Sequence, residues 1–282
     1  MAQDRKVAMI TGGASGMGLA VTQALASRDS WTVHIIDVNQ TRLLEVSNSS
    51  ANITAHQADV TDYAQLSAVF DKVHASHQHL DFVFANAGIV ESQDFYKRQD
   101  TTPPPPPNLK VVDVNLNAVL LTSYLAQHYF RQSSYYGKGT QSLVLTASCG
   151  ALYPSHQLPL YTASKHGVLG FGRAVAKTLF REGIRVNVVC PGVVDTNLTD
   201  WTGFPAKLFT PVEEISKAVV QLVDASEDLV DAKGKRIPAD KLYGLAVEVN
   251  VDKMYVREIP DFCDDEMKTI MDFTDPENRK KQ

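Results

Sequence analysis

The stretch "VAMITGGASGMGLA", Val7 to Ala20, constrains this chain more than any other. An apolar run with the character of a buried strand passes through glycines and continues as a helix. Gly12 suits the tight turn, Gly16 lets backbone approach a bound pyrophosphate, and Gly18 lets the new helix pack close on a sheet. Ser15 and Met17 complete the same candidate cradle. A helix N-terminus offers free N–H groups and a partial positive charge, which suits phosphate. Such a turn is a weak signal alone. Here it closes one strand, opens a helix and precedes a second strand, "TVHIID".

That second strand ends in Asp37, roughly 20 residues past the glycines, where an acidic side chain reaches an adenosine ribose. A carboxylate accepts from ribose hydroxyls and repels a 2′-phosphate. Ala14, Ser15, Val38 and Asn39 are uncharged, and Arg42 is the only nearby cation. The pattern therefore points to NAD over NADP. The rival role for Asp37 is a helix N-cap.

Strands are expected over Lys6–Thr11, Thr32–Asp37, Ile53–Gln57, Phe82–Asn86, Ser142–Ala147, Arg185–Cys190 and Ala246–Val249. Several are rich in Val and Ile without polar alternation, as in a parallel sheet covered on both faces. Helical stretches fall between them, near Gly18–Arg28, Asp62–Ser76, Lys110–Gln132, Tyr161–Arg181 and Val212–Ala225. The expected fold is α/β: a single Rossmann domain with a doubly wound parallel sheet of about seven strands and helices on both faces. This domain runs over 1–262, with a substrate lid at 192–212 and a tail at 263–282. "TTPPPPPN", Thr101 to Asn108, reads as a stiff extended loop before a long helix.

The net charge of -5, from 27 basic and 32 acidic residues, gives no reason to expect nucleic acid or an anionic membrane as a partner. Cys149, Cys190 and Cys263 are widely spaced, with no CxxC, so neither a disulfide framework nor a zinc site is expected. No apolar run is long enough to cross a bilayer, and a strand begins almost at the N-terminus. A cytoplasmic protein is expected on these grounds.

"PLYTASKHG" places Tyr161 and Lys165 four residues apart, one helical turn from each other. Alone, such a pair is an ordinary surface pair. Ser148 ends a strand thirteen residues before Tyr161, and Asn115 lies in "VNLNAV" on an earlier helix. With "TGGASGMG", "NAG" at Asn86–Gly88 and "PGVVDT" at Pro191–Thr196, these motifs occur in one order from Val7 to Thr196. In that order they resemble the short-chain dehydrogenase/reductase family. The chain is similar to the classical NAD-dependent branch, and within it to 15-hydroxyprostaglandin dehydrogenase-type enzymes, through "YTASKHGVLGFGRA" and "GIRVNVVCPGVVDT".

The resemblance implies a catalytic set of Asn115, Ser148, Tyr161 and Lys165. Tyr161 is the base on a hydroxyl proton, Ser148 orients the oxygen, and Lys165 supplies charge and holds the cofactor ribose. Asn115 holds a water that links Lys165 to solvent. An ordinary tyrosine titrates near ~10, too high for a base at neutral pH, so cationic neighbours are expected to lower it. The cofactor contacts implied are Gly12, Ser15, Gly16, Met17, Gly18, Asp37, Asp59, Val60, Asn86, Ala87, Gly88, Tyr161, Lys165, Pro191, Gly192, Val194 and Thr196.

Relatives of the 15-hydroxyprostaglandin type carry a glutamine three residues before the tyrosine, where Leu158 stands here; Gln157 is one residue earlier. His156, Gln157 and Leu158 are candidate substrate contacts with Ser148. The aromatic segment after Gly192 adds Trp201 and Phe204 as the apolar face of a lid. The expected substrate is a lipophilic secondary alcohol or its ketone. Two other readings stay open: ketone reduction or redox-assisted isomerisation in a biosynthetic pathway, and an NAD-binding sensor or scaffold without turnover. By resemblance the chain forms a homodimer, with a homotetramer as the alternative.

Overall fold

The computed structural model describes residues 5–196, 203–275 and 278. In chain order the elements are β1 (Lys6–Thr11), α1 (Gly16–Ala26), β2 (Trp31–Asp37), α2 (Gln40–Asn48), β3 (Ile53–Gln57), α3 (Tyr63–His77) and β4 (Phe82–Ala85). A long loop then leads to α4 (Lys110–Val112), a π-helical turn (Asp113–Asn117) and α5 (Ala118–Gln132). β5 (Gln141–Thr146), α6 (Pro159–Phe180), β6 (Ile184–Pro191) and α7 (Val212–Asp224) follow. The chain ends with a small hairpin of β7 (Leu229–Val230) and β8 (Arg236–Ile237), then β9 (Ala246–Asn250), β10 (Lys253–Arg257) and α8 (Asp265–Thr274).

The main sheet runs β10-β9-β6-β5-β4-β1-β2-β3. Its neighbours are parallel except β10, which pairs antiparallel with β9. The sheet therefore has eight strands where about seven were expected, and the addition is an antiparallel edge strand. The chain reverses at Val251, whose φ is +57°. A β-branched residue rarely takes this left-handed conformation, so the position that reverses the chain carries no glycine to mark it, although Asn250 and Asp252 flank it.

Alternate residues of each strand enter different layers, as the two-residue period of a strand requires. Val7 and Met9 pack with Phe70, Phe130 and Val168 beneath α3, α5 and α6. Ala8 and Ile10 pack with Val21, Leu43 and Val219 beneath α1, α2 and α7. Both faces of the sheet are thus covered, which explains the unbroken apolar runs. The helix expected over 110–132 is interrupted by the π-helical turn that carries Asn115.

One buried polar cluster stands apart from the carboxyl end of the sheet. His34 on β2 places Nδ1 3.0 Å from His56 Nε2 and Nε2 2.9 Å from His77 Nε2. Burial, then His56, His77 and Lys72, lowers His34 to about 3. Burial, then Lys72, lowers His56 to about 4.

The tail expected from 263 onward contains α8, which has no buried residue. Its end is joined to α6 by an ion pair between Lys177 and Asp275. No helix among the described residues is long and apolar enough to cross a membrane.

Candidate active site

The carboxyl ends of β1, β2, β4, β5 and β6 converge on one edge of the sheet. At β1, Gly12 and Gly16 have φ of +65° and +49°, a region that glycine enters at little cost. A Cβ on Gly18 would stand 2.1 Å from the Gly12 carbonyl oxygen and 2.7 Å from Asn86 Nδ2. Only a hydrogen fits there, so α1 starts directly against the turn. Ser15 is the exposed N-cap of α1, and its side chain makes no capping bond; Met17 is half-buried. A Cβ on Gly16 would lie 3.1 Å from Thr196 Cγ2, which places Thr196 across the mouth of the turn.

Asp37 stands at the end of β2. Its Oδ1 accepts from the Asn39 amide at 3.0 Å and its Oδ2 from the Ala14 amide at 3.4 Å. The N-cap of α2 is Asn39, so Asp37 does not have that role. Asp59 is likewise not a helix cap: its Oδ1 accepts from the Thr61 amide and hydroxyl, while Asp62 caps α3. Val60 is buried in the core layer beneath α3.

Asn86, Ala87 and Gly88 follow β4 and lie against the glycine turn. Thr11 Oγ1 accepts from the amides of Asn86 and Ala87 at 2.9 and 3.1 Å, and Asn86 Nδ2 donates to the Thr11 carbonyl at 3.2 Å. Beyond β6, the Gly192 amide donates to the Val249 carbonyl at 2.8 Å, and Val194 bridges to Thr210. Pro191 is the buried last residue of β6. These segments line up along the same edge as Gly12 and Thr196.

Asn115 is fully buried. Its Oδ1 accepts from the Ile89 amide and its Nδ2 donates to the Ile89 carbonyl, both at 2.8 Å. Ser148 starts a 3₁₀ turn, where its Oγ accepts from the Gly150 amide at 3.0 Å. The Ser148 hydroxyl lies near enough to the Tyr161 phenol to favour its ionised form. Lys165, 3% exposed, donates from Nζ to the Thr146 carbonyl at 2.9 Å, and the ammonium lies 5.7 Å from the Tyr161 ring centre. All four residues expected to be catalytic are thus brought together.

The electrostatics differ from expectation. Burial raises the Tyr161 phenol above its ordinary value, while the Ser148 hydroxyl acts the other way. Burial also pushes the Lys165 ammonium down to about 8. At Tyr161 desolvation therefore outweighs the contribution of Ser148, and the nearby Cys149 acts in the same direction as burial.

A cleft of about 590 Å³ is lined by Val90–Asp94, Tyr96, His156, Gln157 and Leu158. It meets the catalytic group through Glu91, which accepts from the Tyr161 amide, while Tyr161 and Ser148 are not among its lining residues. His156 and Gln157 are exposed, Leu158 is half-buried, and all three face this cleft. Phe204 is exposed and is not among the lining residues. Trp201 lies outside the described residues. The wall supplied by the loop after β4 was not read from the sequence, and neither were Thr11 and Thr146. The one available signal was the length of that loop, since connections of this kind are seldom so long without a functional reason.

The family model for short chain dehydrogenases matches residues 6–203. The chain belongs to the short-chain dehydrogenase family. Among its relatives, short-chain dehydrogenase/reductase prx7 of Penicillium rubens is 45% identical over 276 residues, covering 93% of this chain and 98% of that one. A 15-hydroxyprostaglandin dehydrogenase (NAD(+)) of Mus musculus is 31% identical over 203 residues, covering 69% of this chain and 70% of that one. The solved structure of levodione reductase superposes with a TM-score of 0.71 at 25% identity, covering 87% of this chain and 96% of that one.

Short-chain dehydrogenases bind a nicotinamide cofactor, and the residues present fit one. The glycine turn has the conformation and close packing that bring backbone up to a pyrophosphate, and the open N-terminus of α1 supplies donors.

Proposed function

We propose that this short-chain dehydrogenase oxidises a secondary alcohol with an apolar body to its ketone, or runs the reverse reaction, with NAD as cofactor. The observation that carries the reading is the grouping of Ser148, Tyr161 and Lys165 beside a cleft at the carboxyl edge of the sheet. Its volume lies within the range of ordinary small-molecule sites, roughly 300–1,000 Å³.

The cofactor, when bound, supplies the hydride acceptor for the alcohol or the donor for the ketone, with a positive ring charge in its oxidised form. Gly12, Gly16 and the N-terminus of α1 would hold its phosphates, and Asp37 would accept from its adenosine ribose. Ser148 holds the substrate oxygen by hydrogen bonding. Tyr161 takes the hydroxyl proton during oxidation and returns it during reduction. Lys165, anchored on Thr146, keeps a positive charge beneath the phenol.

NAD is favoured because Asp37 ends β2 with its carboxylate fastened by two backbone amides, where a 2′-phosphate would meet like charge. The name of the mouse relative agrees with that preference. Val90, Tyr96 and Leu158 give the cleft its apolar surface; Gln157 and His156 place hydrogen-bonding groups at its rim. The substrate is accordingly an apolar molecule with oxygen functions.

The deciding experiment is Tyr161→Phe, assayed with a panel of secondary alcohols and ketones. Turnover should fall by about 10²–10⁴-fold while NADH binding, followed by its fluorescence, is retained. Undiminished turnover in this variant would remove Tyr161 from the mechanism.

A further inference from the structure

We propose that Glu91 is a positioning residue for Tyr161, coupling the wall of the substrate cleft to the first turn of α6. The proposal rests on the reading of Tyr161 as the proton acceptor.

The helix that carries Tyr161 starts without a side-chain cap. Its N-cap is Leu158, which has no side-chain acceptor, and Pro159 is its first residue. A free N–H in the first turn needs an acceptor, which an N-cap Ser, Thr, Asp or Asn ordinarily supplies. Here the acceptor comes from another part of the chain. The Tyr161 amide donates to Glu91 Oε2 at 2.6 Å, across 70 residues of sequence. A carboxylate at this place also meets the positive end of the helix dipole. The bonded amide belongs to Tyr161 itself, so the position of Glu91 sets the root of that side chain.

Two further observations separate this contact from an ordinary cap. Among the described residues Glu91 Oε1 is buried without a hydrogen-bond partner, an expensive arrangement for a carboxylate whose role is stability alone. The backbone two residues earlier is fastened too: Ile89 is gripped by the Asn115 side chain through two 2.8 Å hydrogen bonds. Residues 89–91 thus form a short strap. One end is tied to the π-helical turn of Asn115 and the other to Tyr161. Val90 and Glu91 of this strap line the cleft. A ligand seated there presses on the same segment that places the phenol against Ser148.

The test compares Glu91→Ala and Glu91→Gln with wild type, with Tyr161→Phe in parallel. Glu91→Ala should lower kcat between about 10- and 100-fold, as small misplacements of a reacting group do, with the KM for cofactor unchanged. The rising limb of its pH–rate profile should move to higher pH, because a displaced phenol moves away from the Ser148 hydroxyl that favours its ionised form. Glu91→Gln keeps an acceptor oxygen opposite the Tyr161 amide and should restore both kcat and the profile. If the alanine variant does not fold, Glu91→Asp, which draws the acceptor back by one methylene, should show the same displacement to a smaller extent. A wild-type profile and kcat in Glu91→Ala, with Tyr161→Phe inactive, overturns the role of Glu91 and leaves Tyr161 standing. Equal losses in the alanine and glutamine variants without a moved pH limb show a structural role only and also overturn it. Activity in Tyr161→Phe overturns the underlying reading instead.

Discussion

The Lys165 ammonium lies 5.7 Å from the centre of the Tyr161 ring, and it gives a hydrogen bond to the Thr146 carbonyl 2.9 Å away. The strand end therefore aims the charge, and the phenol lies above it without a direct bond. Burial makes this charge costly, which lowers Lys165 to about 8. The folded protein then binds fewer protons than the unfolded chain between about pH 8 and 10.5. Its stability should rise with pH across that window, and the full cost is present below pH 8.

Lys165→Met should accordingly abolish turnover and stabilise the fold at pH 7 by about 2 kcal/mol. That figure is the desolvation gain less one hydrogen bond. Urea unfolding at pH 7 and pH 9.5 reads both effects. A variant less stable than wild type at pH 7 would show that the lysine contributes more to the fold than its burial costs.

The histidine cluster predicts the opposite limb. His34 and His56, lowered to about 3 and 4, are held neutral in the fold, whereas the unfolded chain takes up protons as pH drops below 6.5. Stability should be complete above 6.5 and should fall as pH drops toward 3. At pH 5 each of the two costs about 2 kcal/mol relative to pH 7. His34→Asn should flatten this acid limb by about half, measured as the difference in urea midpoint between pH 7 and pH 5. An unchanged limb would place the acid sensitivity elsewhere.

Asp37 should govern the choice between the two nicotinamide cofactors. Asp37→Ser removes the charge that repels a 2′-phosphate, and the preference for NADH over NADPH in direct titration should narrow by at least about tenfold, or ~1.4 kcal/mol. Tighter binding of NADPH by the wild-type protein would defeat the assignment.

Gly18 offers a test of the turn that needs no substrate. A methyl group there meets the Gly12 carbonyl oxygen at 2.1 Å, a backbone atom that cannot step aside without moving the turn. Gly18→Ala should cost about 1–3 kcal/mol and lower Tm by several degrees. NADH binding should weaken in the same variant. Wild-type Tm together with wild-type affinity would mean that the turn has more room than this contact allows.

Much of the molecule was legible from residue order because its signals are local. The glycines of the first turn, the strand ends and the four-residue spacing of Tyr161 and Lys165 each follow from one short stretch. What stayed hidden depends on meetings between distant segments. Thr11 and Thr146 look like ordinary strand residues until their neighbours are known. Glu91 looks like a solvated loop charge, yet its partner lies 70 residues away. The edge strand β10 was missed because Val251, a β-branched residue, holds the left-handed position of its turn, where glycine or asparagine is the usual signal. The raised Tyr161 phenol was missed because charge was weighed without burial, and burial exists only in the folded site.

The strand order carries a consequence for synthesis. From β1 the sheet extends to one side with β2 and β3, then to the other with β4, β5, β6, β9 and β10. Each strand emerging from the ribosome can join an edge that its predecessors have already built, with no need to insert between strands already paired. Until β9 arrives, the outer edge is β6, a buried apolar strand with unpaired amides and carbonyls. A nascent chain stalled after Pro191 would carry all four proposed catalytic groups and still be sticky. The last hairpin, which contributes none of those groups, is what makes the finished molecule safe to release.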